Sequence, residues 1–113
     1  GLLNRNYMGT HFGGSLYAMT DPFFALLIMH QLGRRYVVWD KASAIDYQLP
    51  GRGTVRATFR ITPEQIDVIR QATANGDKHE PTFSVDVLNR QGEVVARVDK
   101  TIYVRLKPVS AKA

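Results

Sequence analysis

The segment from Ser15 to Leu32 limits the possible folds more than any other part of the chain. Its aliphatic and aromatic residues occupy too many helical positions for a single stripe, and a helix that is apolar nearly all round has to be buried. Gly33 supplies a C-terminal stop, and His30 in the last turn suits the helix dipole. Pro22 has no N–H to donate, and its ring opposes the carbonyl of Ala18, which predicts a kink or a restart there. A chain of 113 residues fits one domain, and a buried helix in so short a chain needs a sheet to cover it.

The strands that could do this follow the helix. Tyr36 to Leu49 reads as a long strand with Val37, Trp39, Ser43, Ile45 and Tyr47 on one face. After the turn chemistry of "LPGRGT", the run "TVRATFRI" alternates, with Val55, Ala57, Phe59 and Ile61 against Arg56, Thr58 and Arg60. "TPEQIDVIRQATANG" is a marked surface helix: Thr62 caps it, Pro63 takes the first helical position, Gln65 completes a capping box, and Asn75-Gly76 ends it. Thr82 to Leu88 and Val94 to Leu106 are two further strands, joined through "NRQGE" with its Gly92. In the last strand Lys100 shares a face with Ala96, Val98, Ile102, Val104 and Leu106, an unexpected place for a charge. The predicted order is buried helix, strand, strand, short helix, strand, strand. The fold class is α+β, with an antiparallel β-sheet wrapped around a long central α-helix. With so few strands the sheet edge calls for a partner, and a second copy of the chain is the simplest one.

Composition narrows the function classes. The hydrophobic share of 44% supports a core and argues against disorder. With no cysteine there is no disulfide framework and no zinc-finger spacing, which suits a reducing cytosol, so a cytoplasmic location is expected. The longest apolar run, Pro22 to Met29, is far short of the roughly 20 residues that span a bilayer, so no membrane is expected. The net charge of +5 includes no Lys/Arg cluster of five or more and reads as solvation, so no nucleic acid is expected either. His30 and His79 stand apart and make no metal spacing, so no metal is expected. The chain opens on "GLLNRN", without an initiator methionine, and the reading expects a preceding N-terminal segment, a strand, to be missing.

The candidate site lies in "NRNYMGTHFGGSLYAMTDPFF", Asn4 to Phe24. Asp21 before Pro22 has the local chemistry of an N-cap followed by proline at the first helical position. It is equally a carboxylate placed for chemistry, and a kink would let it be both. Gly13 and Gly14 either permit a tight turn into the helix or leave backbone N–H groups open to an oxyanion.

The spacing Asn6, Gly9, Gly13-Gly14, Asp21 resembles the motif of small acyl-CoA thioesterases of the phenylacetate-pathway type, in the hotdog-fold superfamily. "IDYQLPGRGTVRATFRI" and "VDVLNRQGEVVARVDKTIYV" resemble that family's second and third strands and its final hairpin, so the resemblance covers nearly the whole chain as a single hotdog domain, residues 1–113. Together with "YVVWDKA", the motif looks closest to an uncharacterised bacterial branch. One departure stands out. The family has His-Gly-Gly, and here Phe12 precedes the glycine pair while His11 sits one step earlier. One step on extended backbone moves a side chain to the opposite face, so His11 is not a simple replacement.

The resemblance implies hydrolysis of an acyl-CoA or acyl-carrier thioester by a homodimer or a dimer of dimers, with no cofactor beyond the CoA of the substrate. It implies that a glycine amide of the Gly13–Gly14 pair stabilises the oxyanion, that Asp21 acts as base or nucleophile two helical turns past Gly14, and that Asn6 orients water or substrate. Thr10 and His11 are candidate donors at the pocket rim, and Phe12 and Tyr17 are candidate substrate contacts. Arg52, Arg56, Arg90 and Arg105 are candidates for CoA phosphates. Asp40, Lys41 and Asp46 read as structural polar groups. The alternative is a non-catalytic acyl-thioester binder or regulator, which the missing histidine favours. A dehydratase of the same fold lacks a convincing pairing of histidine and acid.

Overall fold

The computed structural model describes residues 23–49 and 53–108 in full and the strand Arg5–His11 by its backbone. The elements are β1 (Arg5–His11), α1 (Phe23–Leu32), β2 (Tyr36–Tyr47), β3 (Thr54–Arg60), α2 (Pro63–Thr73), β4 (Thr82–Leu88) and β5 (Val94–Leu106). They form one five-stranded antiparallel sheet in the order β1-β3-β4-β5-β2, with α1 packed against β2, β3 and β5. Among the described residues the sheet has one strand more than the sequence reading expects. Arg5–His11 carries no β-branched residue except Thr10 and includes Gly9, so its strand signal is weak.

The helix α1 is 10 residues long as described, and Ser15 to Pro22, including the predicted kink, lies outside the described residues. Its burial agrees with its composition: Phe24, Ala25, Leu27, Ile28 and Leu32 are all buried. Gly33 ends it with φ +91°, and its N–H donates to the Met29 carbonyl at 2.9 Å. The core between helix and sheet collects Val55, Ala57 and Phe59 of β3, Val85 and Val87 of β4, and Val98, Ile102 and Val104 of β5.

The surface helix α2 has the predicted cap. The Gln65 N–H donates to Thr62 Oγ1 at 3.1 Å, and the Thr62 N–H donates to Gln65 Oε1 at 2.8 Å. The connection between β4 and β5 closes with the Asn89 N–H donating to the Glu93 carbonyl at 3.0 Å, around Gly92 with φ +82°.

The faces of β2 differ from the sequence reading. Tyr36, Val38 and Ile45 pack against the core, whereas Trp39 is 48% exposed and stacks on Tyr103, ring centroids 4.2 Å apart. The reason is a β-bulge: β2 pairs Asp40 with Ile102 and then Ala42 with Thr101, leaving Lys41 as the extra residue. An extra residue inverts the alternation on one side of it. Strict period-two counting from Ile45 back to Val37 therefore assigns Val37 and Trp39 to the wrong face. Lys41 turns outward and donates to Glu80 Oε2 at 2.6 Å. With Lys78 also near, Lys41 holds the Glu80 carboxyl below its ordinary range, the Lys41 hydrogen bond being the largest cause.

Candidate active site

Three of the sequence-predicted site residues fall on β1, and its register places them. Asn6 pairs with Phe59, Thr10 with Val55, and His11 with Thr54. Phe59 and Val55 are buried and belong to the core, while Thr54 lies at its margin. Asn6 and Thr10 therefore share a register phase that His11 does not, as expected for a histidine displaced by one step. Phe12, Gly13, Gly14, Tyr17 and Asp21 lie outside the described residues.

The first described turn of α1 builds an aromatic cluster. Phe23 lies 4.9 Å from Phe59, and Phe24 lies 5.3 Å from Phe59, edge to face. Phe24 also stacks on Phe83 of β4 at 4.8 Å. Each such pair adds about 0.5–1.5 kcal/mol beyond the area it buries. The first described turn of α1 is thus fixed against β3 and β4, and Asp21 is two residues before Phe23 in the chain. A cavity of about 460 Å³ opens at this place, lined by Phe24, Phe83, Val85, Thr58, Arg60 and Ser84 among others.

A second feature was only half visible in the sequence. Lys100 is wholly buried, and its Nζ donates to Asp40 Oδ2 at 2.8 Å. In the register Lys100 pairs with Phe83 on one side and with Ser43 on the other, so its charge lies in the core-facing row next to the aromatic cluster. Asp40 Oδ1 is buried and accepts no hydrogen bond among the described residues. The reading of Asp40 as a structural ion-pair partner agrees with this geometry. The partner, 60 residues away, had no local signal.

The remaining candidates are scattered. Arg56 Nη1 donates to the Asn89 carbonyl at 3.1 Å and is engaged in structure. Arg90 is exposed in the turn between β4 and β5, Arg105 is exposed on β5, and Arg52 lies outside the described residues. His79 forms a backbone bridge with Val104 and has a structural place. Among the described residues no group of three His, Cys, Asp or Glu side chains is placed to hold a metal ion. None of their helices is long and apolar enough to cross a membrane.

Residues 2–104 match the profile of a domain of unknown function, DUF4442. The chain belongs to the DUF4442 family. None of the curated proteins matches it in sequence. Among solved structures, this DUF4442 chain is similar to a Pseudomonas aeruginosa protein of unknown function, called a probable thioesterase. The TM-score is 0.73 at 18% identity, over 90% of this chain and 75% of the other. It is also similar to a Chlorobaculum tepidum protein of unknown function, with TM-score 0.69 and 15% identity over 93% and 78%. A third is a Streptococcus mutans protein bound to acetyl CoA, with TM-score 0.57 and 17% identity over 93% and 84%. At these identities the likeness establishes the fold. The resemblance to hotdog-fold thioesterases thus holds at the level of architecture, an α+β fold with an antiparallel sheet and two described helices.

Proposed function

We propose that this DUF4442 protein hydrolyses an acyl-CoA or acyl-carrier thioester at a site shared between two copies of the chain. The observation that carries the reading is the spacing Asn6, Gly9, Gly13-Gly14, Asp21, which runs straight into α1 on a hotdog scaffold. A probable thioesterase and an acetyl-CoA-bound protein among its structural relatives support the same substrate class. In this reading the central helix extends from the glycine pair through α1.

The chemistry follows from the residue types. An N–H of Gly13 or Gly14 polarises the thioester carbonyl and holds the oxygen as it becomes negative. Asp21 takes a proton from water, and the water oxygen attacks the carbonyl carbon. The tetrahedral intermediate collapses, the carbon–sulfur bond breaks, and the proton held by Asp21 goes to the departing thiolate. The products are a carboxylic acid and a free thiol. Asn6, across from Phe59, orients the water or the acyl oxygen by hydrogen bonding. Direct attack by Asp21 gives the same products through an anhydride that water then opens.

The dimer rests on sheet edges. β2 is a 12-residue strand at one end of the described sheet, and a long edge invites pairing with another strand. An isologous pair of copies along such an edge joins the two sheets into one continuous sheet.

The test is to supply the intact protein with a panel of acyl-CoA and acyl-carrier thioesters, follow thiol release, and sediment the same sample. Hydrolysis by a species of twice the 12.7 kDa chain mass is expected. Tight binding of thioesters without release would select the non-catalytic reading, which Phe12 in place of the family histidine favours. A monomer with full activity would remove the shared site.

A further inference from the structure

The pairing between β3 and β4 is unusually short. They are neighbours in the sheet, yet only Arg56 and Leu88 pair between them, whereas β4 and β5 pair from Thr82 to Leu88. Beyond Arg56 the two strands part, and the 460 Å³ cavity occupies the opening. This volume is within the usual range of ligand pockets, about 300–1,000 Å³. A sheet that gives up most of one ladder forgoes backbone hydrogen bonds, which polar groups of a ligand or water have to replace.

The cavity is aromatic at its floor and cationic at its mouth. Phe24 and Phe83 stack beneath it. Arg60 lines it, is exposed, and forms no ion pair among the described residues. An anion at this place is stabilised by the Arg60 guanidinium. Gln65 spends its Oε1 on the Thr62 cap, which leaves its amide nitrogen as a donor at the rim. Thr58 adds a hydroxyl. Arg60 and the Gln65 amide donate at the mouth, Thr58 can donate or accept, and the Ser84 and Thr82 hydroxyls are engaged with Asp99 and Thr101.

We propose that the opening between β3 and β4 holds the distal part of the acyl group, and that this acyl group ends in a carboxylate bound by Arg60. The assignment rests on the thioesterase reading only for how the ligand is attached, since the cavity and its charge stand without it. The body of the acyl group lies on Phe24 and Phe83, and its carboxylate accepts from Arg60, Thr58 and Gln65. A phosphate of the carrier has the same oxyanion chemistry, and the experiment separates the two sources.

Wild type, Arg60→Met and Thr58→Phe are titrated calorimetrically with monoamides of short dicarboxylic acids and with plain amides of equal length; the amide stands in for the thioester, and only the first class carries a carboxylate. Both side chains are exposed, so neither substitution disturbs the core. Wild type is expected to bind the carboxyl-tipped amides about tenfold more tightly than the plain ones. Arg60→Met loses that preference, and Thr58→Phe, which fills the opening, loses binding of both. In turnover, wild type favours carboxyl-tipped over plain acyl-CoA by a similar factor in kcat/KM, and keeps the preference when the carrier is pantetheine, which lacks the nucleotide phosphates. Equal binding of both amide classes by wild type and Arg60→Met overturns the proposal. A preference that vanishes on pantetheine overturns it as well, and assigns Arg60 to the carrier phosphate. Selective binding of the carboxyl-tipped amides with no turnover of any thioester leaves this assignment standing and removes the hydrolase.

Discussion

Asp21→Ala is expected to lower kcat for thioester hydrolysis by about 10²–10⁴-fold, the usual worth of a positioned general base, with KM little changed. The same residue is also a well-formed helix cap by its local chemistry, with Pro22 behind it. Loss of the cap alone would cost about 1 kcal/mol of stability and leave chemistry intact in the folded fraction. Asp21→Asn separates the two roles, because asparagine caps a helix as well as aspartate does but cannot accept the proton. The expected outcome is wild-type stability and slow turnover for Asp21→Asn, against slow turnover and a small stability loss for Asp21→Ala. Thiol release and urea denaturation on the same samples read both. Full turnover by Asp21→Asn would reduce Asp21 to a cap.

The second large effect concerns the core. Asp40→Ala is expected to destabilise the protein clearly, by less than the ~3–5 kcal/mol that removing one partner of a fully buried ion pair costs, because the Asp40 side chain is 23% exposed. The ammonium of Lys100 is wholly buried, and the carboxylate salt-bridged to it at 2.8 Å would be gone. Replacing both, as Asp40→Val with Lys100→Met, is expected to be neutral or stabilising, since apolar residues of similar volume avoid the desolvation cost that the pair only partly repays. Denaturant midpoints at matched slopes check this. A double variant as unstable as Asp40→Ala would contradict it. If the double variant is stable, the pair is there for something other than stability. Its position beside the Lys41 bulge fits a role in fixing the register of β2 against β5. A double variant whose amide spectrum shows β2 still paired Val38 to Val104 and Ile45 to Val98 would rule that role out.

How legible these features were depends on how local their causes are. The cap of α2 is written in four consecutive residues, Thr62 to Gln65, and the structure reproduces it bond for bond. The last strand alternates without interruption, and even its anomaly, Lys100 on the apolar face, was legible. Its partner Asp40 was not, because the two meet only through β2–β5 pairing. The bulge at Lys41 has no glycine or proline to announce it, so the faces of Val37 and Trp39 were assigned wrongly. β1 has a weak strand signal, because Arg5, Asn6 and Gly9 offset the strand preference of Tyr7 and Thr10. The parting of β3 from β4 has no sequence signal, since both strands alternate as regular ones do. The glycine and aspartate motif could be found in the sequence, but the meaning given to it came from resemblance. The described geometry adds where it leads: into α1, over the Phe59 and Phe83 rings.

A crystal structure with a non-hydrolysable acyl-CoA analogue measures the central point most directly. It should show a carboxylate oxygen of Asp21, or a water held by it, about 3–3.5 Å from the carbonyl carbon, with a Gly13 or Gly14 N–H on the carbonyl oxygen. An analogue bound with its carbonyl far from Asp21, and both Asp21 oxygens taken up by amides at the helix start, would contradict the account.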